Sequence, residues 1–285
     1  MSASTQVHSE RGQRKTEPRK PSGTLTALVV HLLRLQTRGV LIWGFVFGIY
    51  CAALTATFTT FAADAEQMDQ MIEAYPQGML DAFGISSLGT IEAFLDSQIF
   101  YLAPLVLSFF TILAAASTIA GAEERGSIDV LLGNPLPRWQ LIVSNFVATA
   151  ISFLVILAIA GLMTWGTGII TDVDLTLSTA AVAFLNIWPT CLFFGAVALV
   201  CSAAFHRRAL AIAIPGFLLF TMFMMNVMGN VSEDLEYLQP FSILYHYGQV
   251  AIDGMDWANF ASITSLVLVL VGIAVVIFQR RDIYT

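Results

Sequence analysis

The 285 residues are 57% hydrophobic and only 12% charged, about half the charged share of an ordinary soluble domain, and the mean hydropathy is +0.76. These values exclude a soluble catalytic domain and require an integral membrane protein, while a net charge of −7 excludes the basic footprint of a nucleic-acid binder. Cys51, Cys191 and Cys201 all fall in apolar stretches without C-x-x-C spacing, so they read as packing residues rather than disulfide partners or metal ligands.

Residues 1–23 are polar, basic and contain Pro, Gly and Ser, the composition of a disordered cytoplasmic tail. The first apolar span starts too far along for a cleaved signal peptide to be expected. From Thr24 to Gly39, Leu25, Leu28, Val29, Leu32, Leu33 and Leu35 recur at helical spacing. They predict an amphipathic helix in the inner membrane interface, with Gly39 letting the chain turn into the first span; a purely cytosolic amphipathic helix is the alternative. Six windows, at about 40–62, 99–120, 141–170, 177–204, 209–229 and 258–278, reach the ~20 apolar residues that cross a ~30 Å hydrocarbon core as helix. The expected fold is therefore an all-α membrane protein of six transmembrane helices, with 40–285 as the membrane domain.

All thirteen Lys and Arg residues lie in the amino-terminal region, the second and fourth connections and the carboxyl tail. The positive-inside rule then expects both termini in the cytoplasm, which needs an even number of spans. Fourteen acids, from Asp64 to Asp256, lie in the other three connections. They read as solubilising charge repelled by anionic headgroups, or as an attractor of cationic cargo.

The first external connection, 63–98, carries Met68, Met71, Ile72, Tyr75, Met79, Leu80 and Phe83, then Leu88, Ile91, Phe94 and Leu95. This predicts two short amphipathic helices, broken at Tyr75-Pro76 and Gly84, on the outer surface or over an exit path. The second connection, 121–140, contains the most distinctive stretch, Glu123 to Arg138. Glu123, Glu124, Arg125 and Asp129, with an apolar stripe of Ile128, Leu131 and Leu132, predict a short helix with acids in its first turn. Asn134-Pro135 and Pro137 stop it. A short stiff helix projecting from a membrane domain is suited to act as a lever.

Trp165 and Trp188 are interface or packing aromatics, and His206-Arg207-Arg208 forms a tight inner turn. Pro215-Gly216 in the fifth span is a candidate hinge, followed by Met222, Met224, Met225 and Met228 as adaptable packing. Residues 230–257, with Glu233, Asp234, Glu236 and the aromatics Tyr237, Phe241, Tyr245 and Tyr247, predict a partly re-entrant helix pair at the outer interface. Asn230-Val231-Ser232 also matches a glycosylation acceptor. Gln279-Arg280-Arg281-Asp282 reads as an inner-face anchor.

No G-x-x-x-x-G-K-[ST] motif occurs, and the only lysines are Lys15 and Lys20, so no ATP-binding site is expected in this chain. His8, His31, His206 and His246 lack metal-ligand spacing, and no nucleophile has a base beside it. The expectation is a non-enzyme without a cofactor of its own. None of the six windows holds an acid or base in its apolar body, which speaks against proton coupling.

Ala120-Gly121-Ala122-Glu123-Glu124-Arg125-Gly126-Ser127-Ile128-Asp129-Val130-Leu131-Leu132, followed by Asn134-Pro135-Leu136-Pro137-Arg138, resembles the cytoplasmic signature of ABC-2-type (type V) exporter permeases. The interfacial amino-terminal helix, the six spans, the aromatic outer connection and Arg280-Arg281-Asp282 extend the resemblance over nearly the whole chain. The stretch from Tyr75-Pro76 to Leu80 and Phe83 resembles bacterial permeases described as antibiotic or multidrug exporters.

The resemblance implies a bacterial plasma-membrane complex of two permeases, as homodimer or pseudo-dimer, with two separate ABC ATPase subunits that bind ATP and Mg. It also implies that Glu123, Glu124, Arg125, Gly126, Asp129, Leu131, Leu132, Pro135 and Arg138 form the ATPase-coupling segment. The expected activity is export of an amphiphilic or hydrophobic molecule. An ion-gradient-driven transporter and a non-transporting membrane assembly protein are the alternatives.

Overall fold

The computed structural model describes residues 24–63, 80, 90–117, 119–124 and 137–281. Among them all regular structure is helical: α1 (Thr24–Ala63), α2 (Ile91–Leu95), a π-helical turn (Asp96–Phe100), α3 (Ala103–Ala116), α4 (Ala120–Glu124), α5 (Arg138–Ile170), α6 (Leu177–Ala204), α7 (Arg208–Val231), a 3-10 segment (Glu233–Phe241), α8 (Ile243–Tyr247), α9 (Val250–Asp253) and α10 (Trp257–Arg280). Five helices, α1, α5, α6, α7 and α10, are long and apolar enough to cross a membrane. The pair Ile91–Phe100 and Ala103–Ala116, bent by 43°, is a sixth when its two halves count as one broken span.

The centre of the bundle is α6. In its most apolar stretch 78% of residues are buried, against 17% in α7 and 22% in α10; α3, α5, α7 and α10 all pack on it. The chain affords this close approach with small residues. A Cβ added at Gly195 of α6 would stand 2.9 Å from Thr111 Cβ and 3.4 Å from the Thr111 carbonyl oxygen, and Thr111 Oγ1 donates to the Cys191 carbonyl at 2.7 Å. Further polar ties cross the bundle where no water is at hand. Trp188 Nε1 donates to the Ala150 carbonyl at 3.0 Å, and Asn186 Nδ2 donates to the Tyr247 carbonyl at 2.8 Å. The three cysteines are buried and unpaired, as packing residues.

Some expectations are corrected. The turn at Gly39 is absent, because α1 is one helix of 40 residues. Val40, Phe47, Cys51, Thr55 and Phe58 are buried at helical intervals, and Val29 extends the stripe back to the amino-terminal half. One unbroken apolar stripe against α5 gives the chain no reason to turn. Gln36 pairs with Thr149, while Gly44 and Gly48 face Ile159 and Met163, so α1 and α5 run parallel. Gly44 and Gly48 form a small-xxx-small pair, whose role is close helix approach.

The second span also differs. It begins at Ile91 rather than near 99, breaks at Tyr101-Leu102 and ends at Ala116. Pro104 stands at the second position of α3; inside a continuous helix its ring would collide with the carbonyl four residues earlier. Thr90 starts the span by accepting from Ala93 N at 3.3 Å. An acid, Asp96, thereby lies inside the broken span and is buried, contrary to the expectation that no span carries one. Of the two amphipathic helices predicted within 63–98, residues 64–79 and 81–89 lie outside the described residues; Ile91, Phe94 and Leu95, expected on the membrane surface, are in the core.

Substituting Gly195→Leu drives a side chain into the Thr111 backbone and is expected to cost about 1–3 kcal/mol, lowering the thermal midpoint of the purified protein in detergent. Gly272→Leu, where an added Cβ meets nothing within 4 Å, is the control; equal midpoints would show that the α3–α6 contact is not tight.

Candidate functional site

Glu124 and Arg138, on either side of the segment 125–136, are both fastened to other helices. On the amino-terminal side Glu124, closing α4, accepts through Oε1 from Arg208 N at 2.8 Å. Arg208 is the first residue of α7, so a carboxylate satisfies one of the helix's free N–H groups where the dipole favours negative charge. The start of α4 is held too, since Ala120 N donates to Ser202 Oγ of α6 at 3.1 Å. On the carboxyl-terminal side Arg138, the first residue of α5, donates from Nη1 to the Arg281 carbonyl at 2.7 Å. Arg281 Nη1 donates in turn to the Ala203 carbonyl at 3.0 Å, and its Nη2 meets His206 Nδ1. Two arginines thus serve the carbonyl ends of α6 and α10.

This basic end of the bundle gathers α4, α5, α6, α7 and α10. The parallel course of α1 and α5 puts Thr24 at the same end, so both described chain ends emerge together. Of the predicted coupling residues, Glu124 and Arg138 are placed by these bonds and Glu123 lies in α4. Arg125, Gly126, Asp129, Leu131, Leu132 and Pro135 lie outside the described residues. The hinge candidates Pro215 and Gly216 sit within α7, which continues through them. Gly216 has open space around its would-be Cβ, and Phe217 beside it is 73% exposed.

At the opposite, acidic end the segment between α7 and α10 folds back into the bundle. Ser242 starts α8 by accepting from Leu244 N at 3.2 Å, and its Oγ donates to the Met222 carbonyl of α7 at 2.9 Å. Gly248 (φ 68°) and Gly254 (φ 79°) supply left-handed turns around α9. Tyr247 is buried against Asn186, nine residues into α6, a depth of about 14 Å along that helix. The predicted re-entrant helix pair is therefore α8 and α9. Asp256 then opens α10, accepting from Ala258 N and Asn259 N at 2.9 and 3.2 Å.

Between the broken span, α7 and this re-entrant segment lies a cavity of about 400 Å³. Asp96 and Tyr101 line it from the broken span, Phe223 and Asn226 from α7, and Glu236 and Gln239 from the 3-10 segment. Gln239 Nε2 donates to Asn230 Oδ1, and a Cβ on Gly229 would fall 2.3 Å from Gln239 Cγ, so only glycine admits that side chain. A second, apolar groove of about 290 Å³ is lined by Trp43, Phe47, Ile99 and Val106 among others. Residues 96, 100 and 104 border the first cavity and 99, 102, 103 and 106 the second, so the broken span turns a different face to each.

The cavity was not anticipated from the sequence. Asp96 was the available signal, a carboxylate between the apolar pairs Phe94-Leu95 and Ile99-Phe100.

Removing the helix-start acceptor in Glu124→Ala is expected to cost about 1 kcal/mol and lower the thermal midpoint, whereas Glu124→Gln keeps an acceptor and most of the stability. Arg281→Ala, which frees the Ala203 carbonyl, is expected to cost about 1–3 kcal/mol; unchanged midpoints in both alanine variants would remove the clasp from the account.

Comparison with the curated proteins gives no match. A family model described as ABC-2 family transporter protein matches residues 24–283, so with its helical bundle and clasped connection this chain belongs to the ABC-2 transporter family, as a membrane permease subunit of an ABC transporter.

Proposed function

We infer that this permease serves an ATP-driven exporter whose ATP is hydrolysed by two separate ABC subunits, with two permeases, as homodimer or pseudo-dimer, in a bacterial plasma membrane. The observation that carries the reading is the double fastening of the segment 125–136. Glu124 ties its start to α7 and Arg138 ties its end to α10. A push delivered to Glu124 and Arg138 therefore reaches three spans, α5, α7 and α10, through short hydrogen bonds. That is what coupling ATPase closure to a membrane rearrangement requires.

The basic end faces the cytoplasm in this reading, since Arg138, Arg207, Arg208, Arg280 and Arg281 gather there. The ATPase contact falls to Arg125, Gly126, Asp129, Leu131, Leu132 and Pro135, and Pro215-Gly216 in α7 is the hinge that yields. An amphiphilic cargo is supported by the polar cavity and the apolar groove that share the broken span.

Gly126→Pro is expected to leave insertion and dimer assembly intact while reducing transport about tenfold or more. The decisive measurement is purification of the tagged permease from its own membrane in mild detergent, followed by identification of the proteins that accompany it. A stoichiometric soluble chain with a Walker motif, lost in the Gly126→Pro variant, is the expected outcome. An intact permease without such a chain, with transport that follows an ion gradient and survives ATP depletion, would replace this reading by a secondary transporter.

A further inference from the structure

We propose that the polar cavity at the acidic end is a binding site for an organic ammonium cation, held by Asp96 and Glu236 against the rings of Tyr101 and Phe223. Asp96 is only 5% exposed, and its Oδ2 has no hydrogen-bond partner among the described residues. A carboxylate so enclosed is costly unless a positive charge or donors reach it; the Ala251 backbone N–H is one donor to it, and no Lys, Arg or His stands among the residues lining the cavity. The position is built rather than incidental. Asp96 opens a π-helical turn, a distortion that recurs at functional sites, and the span breaks just beyond it at Tyr101-Leu102.

The rest of the wall selects among cations. A volume of about 400 Å³ suits a small organic molecule rather than a bare ion. Tyr101 and Phe223 meet edge to face, with centroids 5.9 Å apart, and span the cavity from the broken span to α7. Aromatic faces with a carboxylate are the surroundings that hold alkylammonium groups. No cluster of His, Cys, Asp and Glu suited to a metal ion occurs among the described residues. Glu236 and Tyr245 are exposed as well as lining, so the cavity is reachable from the acidic end. Asn226 and Gln239 supply neutral polar contacts that fix orientation.

That the bound cation is cargo rests on the exporter reading; that it binds does not. The test is therefore equilibrium binding to the purified full-length permease in lipid nanodiscs, without any ATPase, with empty nanodiscs as reference. The probes are benzyltrimethylammonium and its neutral isostere 2,2-dimethylpropylbenzene. Saturable binding of the cation alone is expected, weakened about tenfold or more in Asp96→Asn and less in Glu236→Gln, with the Asp96→Asn thermal midpoint recorded as a folding control. Should Asp96→Asn fail to fold, Glu236→Gln and Tyr101→Leu decide, each expected to weaken the cation and not the isostere. Equal binding of both probes, cation binding unchanged in the folded variants, or displacement by millimolar sodium or calcium would overturn the proposal. A permease that copurifies with its ATPase but binds no ammonium refutes only this site, and one that binds the cation but copurifies with no ATPase from its own membrane refutes only the exporter.

Discussion

A helix leaves its last carbonyls and first N–H groups without partners inside the helix, and this structure depends on how those groups are met. At the basic end three helix termini are served by charged side chains from elsewhere in the chain. Glu124 meets the start of α7, Arg138 the end of α10, and Arg281 the end of α6. The same bonds that complete the helices also fix the two ends of the segment between them. The helix-terminus bonds and the anchoring of Glu124 and Arg138 are consequently one arrangement.

At the acidic end the helices are started locally, by Thr90, Thr176, Ser242 and Asp256 side chains accepting from N–H groups two or three residues on. Among the described residues no helix start there is met by a distant charged partner, which leaves the acids of that end available for other uses. Asp96 is the instance. It is carried into the bundle by a span that must break before Pro104, and it ends beside a re-entrant segment whose backbone is tied to α6 through Asn186. One broken span thus borders two cavities of opposite character, an arrangement an uninterrupted helix with the expected ends would not provide.

Between these ends the bundle relies on close approach rather than on hydrophobic expulsion, because lipid tails are as apolar as the side chains that face them. Gly44 and Gly48 admit α5, and Gly195 admits Thr111. Such contacts distinguish the central helix α6 from α7 and α10, whose large apolar side chains remain exposed along much of their length. The exposure is what a lipid-facing or partner-facing helix requires.

The helical nature of the chain, five of its spans and the segregation of charge to the two ends were legible in the sequence, because each follows from run length and from the cost of placing charge in hydrocarbon. The sequence marks Glu124 and Arg138 as charged flanks of the second connection, and both are held by hydrogen bonds to other helices; the lever expected between them lies outside the described residues. The continuous α1 was not legible: Gly39 marks a turn only if nothing favours a straight helix, and the stripe on α5 that keeps it straight is a tertiary contact. Nor was the position of Asp96, which local hydropathy assigns to a loop. Composition and spacing determined which segments must be helices in a membrane and at which end charge accumulates. Only the tertiary structure decided which helix lies at the centre, which carbonyls Arg138 and Arg281 serve, and that Asp96 is enclosed, because these depend on contacts between residues tens to more than a hundred positions apart that no local pattern encodes.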